Sequence, residues 1–250
     1  MSSFPSPMQV LEHYLDGIQE TENVIRSQRP IGKYSASSAG KCFKQVYYQS
    51  IQAERTPFEF RVKALLRDGT LFHKDMEDAS HNYVWPDNIK ILVEHDINLE
   101  ELNVLGRLDL AMLDENTGYA RVIDYKTVNA WKWRLKFGLK KNRDKKPSKM
   151  YELQLGTYAL GLAKEYEIPN ANMELELLWK NKDTSGMKPE IIDSIFIELA
   201  DYYWQDLNEA LEEITSPDEL VPHETFGVPM EEWECKYCAY VQQCKPTRRE

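Results

Sequence analysis

The chain has 250 residues, a formal net charge of −10, and 42% hydrophobic and 11% aromatic residues. That length suits one sizeable domain or two small ones, and the composition is globular rather than disordered. The acidic balance argues against a general nucleic-acid coat protein. No h-region follows the N-terminus and no run approaches 18 apolar residues, so signal-peptide secretion and membrane spanning are not expected and a cytoplasmic protein is.

Met8, Leu11, Tyr14, Leu15, Ile18 and Val24 recur at roughly helical spacing, which predicts a helix over residues 6–27. Ser37 is placed to cap a second helix containing Cys42, Val46 and Tyr47. Gly40-Lys41 hints at a phosphate loop. Ser35 stands where that motif needs Gly, however, and Cys42 follows the lysine, so an ATP motor is excluded. Residues 58–84 read as helix around Val62, Leu65, Leu66, Leu71, Phe72 and Met76. Gly69 inside it costs about 1 kcal/mol relative to Ala, so a break or a close backbone neighbour is expected there. His73 follows four residues later; on its own, a histidine is more often a core or surface residue than a ligand.

Ile89 to Leu99 alternates as a strand, with Glu94 read as an edge or supporting carboxylate. Two further strands organise the chain. Gly106-Arg107-Leu108-Asp109 and Val122-Ile123-Asp124-Tyr125-Lys126-Thr127 alternate with period two, and the turn formers Asp114-Glu115-Asn116-Thr117-Gly118 lie between them. A hairpin centred between Asn116 and Thr117 sets position i opposite 233 − i. Asp109 then faces Asp124 and Arg107 faces Lys126, while Leu108, Leu110, Ile123 and Tyr125 point to the opposite, apolar face. Carboxylates facing each other at roughly 4.5–5.5 Å repel unless a cation lies between them. Oxygen ligands suit Mg²⁺ or Mn²⁺, and Lys126 is placed to favour deprotonation of water or to steady phosphoryl charge. The competing reading is a surface hairpin with solvated charges.

From Lys126 to Lys149 there are ten Lys/Arg and one acid, a local charge of +9 in a chain whose remainder carries −19. Such a segment suits a localised phosphate track. Its Trp131 and Trp133 offer flat faces to single-stranded bases, or else pack on the body of the protein. Leu153, Leu155, Tyr158, Leu160, Leu162 and Tyr166 predict a helix over 150–166, with Gln154 and Tyr158 on one face. Met173 to Lys180 and Ile191 to Leu199 read as strands, and a helix is expected from about Ala200 to Ile214. Cys235, Cys238 and Cys244 cluster near the C-terminus, and Cys42 is the remaining cysteine. Their chemistry admits zinc or an iron–sulfur cluster, and a reducing cytoplasm disfavours disulfides.

The order of Gly-Arg-Leu-Asp109 and Asp124-Tyr-Lys126-Thr resembles the core motif of the PD-(D/E)XK nuclease superfamily. Gly69-x-x-x-His73, Gln154-x-x-x-Tyr158 and the split cysteines resemble its RecB-like branch, in particular the iron–sulfur exonucleases of CRISPR adaptation and the AddB-type nucleases. The likeness runs from Ser35 to Cys244. It implies one α/β domain over 1–250 with a restriction-endonuclease-like core, a central mixed sheet flanked by helices, and a terminal elaboration in which 35–50 and 233–246 form a cysteine staple. The implied activity is metal-dependent DNA exonuclease action on single-stranded ends, in CRISPR adaptation, phage recombination or DNA repair. His73, Asp109, Asp124 and the Tyr125 carbonyl would hold Mg²⁺ or Mn²⁺. Asp109, Asp124, Lys126, Gln154 and Tyr158 would serve catalysis, and Cys42, Cys235, Cys238 and Cys244 would hold a 4Fe–4S cluster, with zinc as the alternative. Implied partners are DNA and proteins of an adaptation or recombination complex, with no membrane. The rival is a catalytically silent module that binds DNA ends or a protein.

Overall fold

The computed structural model describes residues 5–138, 149–214, 216, 219, 235 and 238–244. Six strands form one mixed sheet: β1 (Tyr34–Ser35), β2 (Ile89–Leu99), β3 (Val104–Asp114), β4 (Tyr119–Val128), β5 (Met173–Asn181) and β6 (Met187–Ile192). Their order is β1-β3-β4-β5-β6, and β2 pairs with β3. The helices are α1 (Pro7–Ser27), α2 (Phe43–Ser50), α3 (Phe60–Asn82), α4 (Ala130–Phe137), α5 (Met150–Tyr166) and α6 (Ile195–Glu212). The parallel β4–β5 pair needs a long crossover, and α4 and α5 lie within it.

Two cores hold the layers together. Val122, Leu175, Leu177 and Trp179 pack with Leu153, Leu155 and Leu162 of α5 and with Tyr203, Trp204 and Leu207 of α6. On the opposite face Phe72 of α3 packs with Leu110, Ile123 and Tyr125. Helix α5 is buried along most of its length. A Cβ on Gly156 would come 2.0 Å from the Phe196 carbonyl oxygen, so only glycine lets α5 approach α6 this closely.

The β3–β4 hairpin keeps the predicted register, from Leu110↔Ile123 to Asp114↔Tyr119. Asp114 anchors its turn by accepting from the Asn116 N–H at 3.0 Å and the Thr117 hydroxyl at 2.8 Å. Beyond Ile123 the two strands part, so the expected pairings of Asp109 with Asp124 and of Arg107 with Lys126 do not form. The reason is a competing strand. Val104 pairs with Leu99 on one edge and with Tyr34 of β1 on the other, so β1 occupies the edge that β4 leaves.

A second departure lies at Asp109. In β2–β3, Val93↔Leu110 and His95↔Leu108 are paired, but the Glu94–Asp109 step between them is not. Glu94 has φ +48. Both strands reverse their alternation across this step. Leu92, Ile97 and Leu99 of β2, and Val104, Leu108, Ala111 and Leu113 of β3, meet the larger core, whereas Val93, Leu110 and Met112 meet the smaller one. Leu108 and Leu110 therefore face opposite cores, not the same one as expected.

Smaller corrections have local causes. Helix α3 runs unbroken through Gly69, where a Cβ would lie in ordinary contact, 3.5 Å from Thr127 Oγ1. Cys42, not Ser37, occupies the N-cap of α2, and the Ser37 hydroxyl instead meets that of Ser35 at 3.0 Å. The strand expected over Ile191–Leu199 ends at Ile192. The Asp193 carboxylate accepts from the Ile195 N–H at 2.9 Å and turns the following apolar run into α6.

Candidate metal centre and active site

The fork between β3 and β4 leaves the Tyr125 N–H without a strand partner, and a side chain takes its place. Asp109 Oδ2 accepts that N–H at 2.7 Å. From α3, His73 reaches into the same gap: Nε2 lies 2.9 Å from the Tyr125 carbonyl oxygen and Nδ1 lies 3.4 Å from Asp109 Oδ1. Burial pulls the His73 imidazole toward the neutral form, but its hydrogen bond to Asp109 and the charges of Asp109 and Asp124 raise its pKa overall. One ligand atom each from His73, Glu94 and Asp109 falls within 4.8 Å of the other two. Burial, followed by the charges of Asp109 and Glu77, raises the Glu94 carboxyl.

On the other side of β4, Asp124 and Lys126 face α5. Asp124 is 1% exposed and forms an ion pair with Lys126. Gln154 joins them: Nε2 donates to Asp124 Oδ1 at 3.2 Å and to the Tyr158 hydroxyl at 2.9 Å, while Oε1 accepts from Lys126 Nζ at 3.2 Å. Lys126 Nζ also lies 5.0 Å over the Tyr151 ring. Burial pushes the Asp124 carboxyl up to about 6 despite the lysine, with the Asp109 charge adding to the rise. Burial works against the Lys126 ammonium, but Asp124 outweighs it and the pKa is raised, so Lys126 stays cationic. Burial and the two aspartates push the Tyr158 phenol well above its ordinary value, so it stays protonated.

Thus His73, Asp109 and the Tyr125 carbonyl form one group, and Asp124, Lys126, Gln154 and Tyr158 form a second one beside it. Tyr151 is an addition that the sequence reading passes over, and Glu94, read there only as an edge or supporting carboxylate, lies with His73 and Asp109. The signal for Glu94 was the second hairpin, because a β2–β3 turn placing i opposite 203 − i brings Glu94 to Asp109. Trp131 is 61% exposed, whereas Trp133 packs on Phe137 with ring centroids 4.7 Å apart. Residues 139–148 of the basic run, with Lys140, Lys141, Lys145 and Lys146, lie outside the described residues.

The cysteines converge as well. Burial raises the Cys42 thiol, and Cys244 and Cys235 lie near enough to raise it further; Cys238 is raised by burial and by the same two neighbours. Cys238 and Cys244 border a small cluster of Tyr48, Ala239 and Tyr240. The tail is bound to the α2–α3 connection by Thr56 N–H to Ala239 oxygen at 2.7 Å and Gln243 Nε2 to Glu54 oxygen at 2.6 Å.

A mixed sheet between helices, with a forked hairpin presenting Asp, then Asp-x-Lys, defines a nuclease-type fold with a candidate divalent-metal site. The PD-(D/E)XK nuclease superfamily matches residues 28–245, and the chain belongs to it. The solved structure of SSO0001 shares the fold, with a TM-score of 0.50 at 16% identity over 94% of this chain and 96% of that one. No curated protein matches the chain. Among the described residues, no helix is long and apolar enough to cross a membrane.

Proposed function

We propose that this chain, as one domain over 1–250, is a Mg²⁺- or Mn²⁺-dependent DNA exonuclease acting on single-stranded ends. The observation that carries the reading is the link across β4 between the Asp109–Tyr125–His73 group and the Asp124–Lys126–Gln154 group. The donor set fits a hard divalent ion: a buried carboxylate on Asp124, the Asp109 carboxylate, a backbone carbonyl and an imidazole. His73, Asp109, Asp124 and the Tyr125 carbonyl would hold it. When bound, the ion supplies Lewis acidity toward a phosphoryl oxygen and makes water a better nucleophile.

The protein's own part is positioning and charge. Asp124 and Gln154 hold the Lys126 ammonium at the mouth of the fork, where it offsets negative charge on the scissile phosphate and favours loss of a proton from the attacking water. Tyr158 fixes the Gln154 amide and contributes no charge. The cysteines are read as a 4Fe–4S staple that ties the tail to α2. The split of Cys42 from Cys235, Cys238 and Cys244, like that of the iron–sulfur nucleases the sequence resembles, supports a cluster over zinc. Trimming of DNA ends suits CRISPR adaptation, phage recombination and repair, with proteins of such complexes as partners.

The test is anaerobic purification followed by digestion of end-labelled single strands with Mn²⁺. Asp109→Asn keeps an acceptor for the Tyr125 N–H but removes the charge. Its rate should fall by about 10²–10³ or more while DNA binding persists. Wild-type rates in that variant would refute the assignment, and no cleavage by the wild type would favour the silent DNA-end module.

A further inference from the structure

We propose that Glu94 is a further direct ligand of the divalent cation, beside His73 and Asp109, so that the ion is held from the β2 side of Asp109 as well as from β4. The inference rests on the metal-dependent reading above, but its readout is ion binding rather than cleavage.

Three elements converge to build this side of the site. His73 comes from α3, Glu94 from β2 and Asp109 from β3, and one ligand atom of each lies within 4.8 Å of the others. The approach of Glu94 is not the default outcome of strand geometry. Glu94 sits in the middle of an eleven-residue strand with a left-handed φ of +48, at the one step where both strands reverse phase. A non-glycine residue is disfavoured there by the clash of its Cβ with the backbone. The result is to bring a second carboxylate against Asp109, which repels it. A cation between them turns that repulsion into attraction.

The hydrogen bonding of His73 is compatible with a cation. Its two ring nitrogens face the Tyr125 carbonyl oxygen and the Asp109 carboxylate. The protonated ring donates to both, whereas the neutral ring, with one N–H, turns its nitrogen lone pair toward an oxygen. A divalent ion held by that lone pair and by both carboxylates removes the conflict. Asp124 shares its charge with Lys126 and Gln154, so a carboxylate on the β2 side adds to what Asp109 and Asp124 give the ion. Carboxylate oxygens suit Mg²⁺ or Mn²⁺.

The measurement is Mn²⁺ binding by calorimetry to the full chain, with Glu94→Gln and Glu94→Gly compared with the wild type and with Asp109→Asn as the positive control. Supporting partners of metal ligands cost about 10–100-fold in affinity, so loss of a direct ligand should weaken binding by about tenfold or more in both Glu94 variants. Glu94→Gly relieves the left-handed φ and should melt no lower than the wild type, which separates ligand loss from a folding defect. Wild-type affinity in Glu94→Gln would overturn the proposal. A wild type that binds Mn²⁺ through Glu94 yet cleaves no DNA would leave this inference standing and remove the nuclease reading.

Discussion

Gln154 and Glu152 sit two residues apart on α5 and meet burial in opposite ways. All three hydrogen-bonding directions used by the Gln154 amide find partners: Lys126, Asp124 and Tyr158. That fixes which way the amide points and holds the lysine in place. Glu152 is 7% exposed, and its Oε2 has no hydrogen bond among the described residues. Burial raises its carboxyl, which its own backbone hydrogen bond and the charge of Lys136 offset only in part. A carboxyl with a raised folded-state pKa contributes stability that is complete below its unfolded value and lost as pH rises through the folded one. Glu152→Gln should therefore raise the melting temperature at pH 7–8 and change it little near pH 4. A melting profile parallel to the wild type across that range would show that Glu152 is effectively paired.

At the scale of elements, the β3–β4 fork joins sequence to chemistry. The hairpin is zipped from Asp114↔Tyr119 to Leu110↔Ile123 and then opens, and β1 pairs farther along the same edge of β3, at Val104 and Leu105. The open end exposes a backbone N–H and carbonyl at Tyr125 to Asp109 and His73. Directly after β4, Asn129 caps α4 by accepting from the Lys132 N–H at 2.9 Å, and Asp183 accepts from the Ala130 N–H at 2.6 Å. So anchored, α4 presents Trp131, Lys132 and Arg134 to solvent and packs Trp133 inward. The two tryptophans should behave differently. Trp131→Ala should weaken single-strand binding by about 1–3 kcal/mol if the ring stacks on a base, without moving the melting temperature. Trp133→Ala should lower the melting temperature instead. Binding titrations and melting curves on both variants check this, and equal DNA affinity in Trp131→Ala would exclude the stacking role.

For the molecule as a whole, the four cysteines join regions nearly 200 residues apart in sequence, and the tail rests on the α2–α3 connection through a few backbone bonds and a small aromatic cluster. Cys42→Ser should lose iron, shown by metal analysis and by loss of the brown colour of thiolate-bound iron, and should expose residues after 235 to limited proteolysis. Stoichiometric zinc in the anaerobic wild type would replace the iron–sulfur reading. The charge is also divided at this scale, with +9 concentrated over 126–149 and −19 elsewhere.

Much of this was legible in the sequence because it is local. Period-two alternation and the Asp114–Gly118 turn determined the β3–β4 register, helical periodicity determined α1, α3 and α5, and alternation pointed to Asp109, Asp124 and Lys126, while His73 and Gln154 stood out only through the family resemblance. Only the tertiary structure decided where that register stops, because β1 competes for β3 from 70 residues upstream. The β2–β3 register sets Glu94 opposite Asp109, but only the tertiary structure groups it with Asp109 and His73, because the phase reversal is a backbone conformation which no side-chain pattern announces. It also chose between the two roles open to Trp131 and Trp133, since their composition is the same and only the packing of Phe137 distinguishes them. Residues 191–199 show the same limit: a short apolar run suits strand or helix equally, and the Asp193 turn, with the face offered by α5, made it helix.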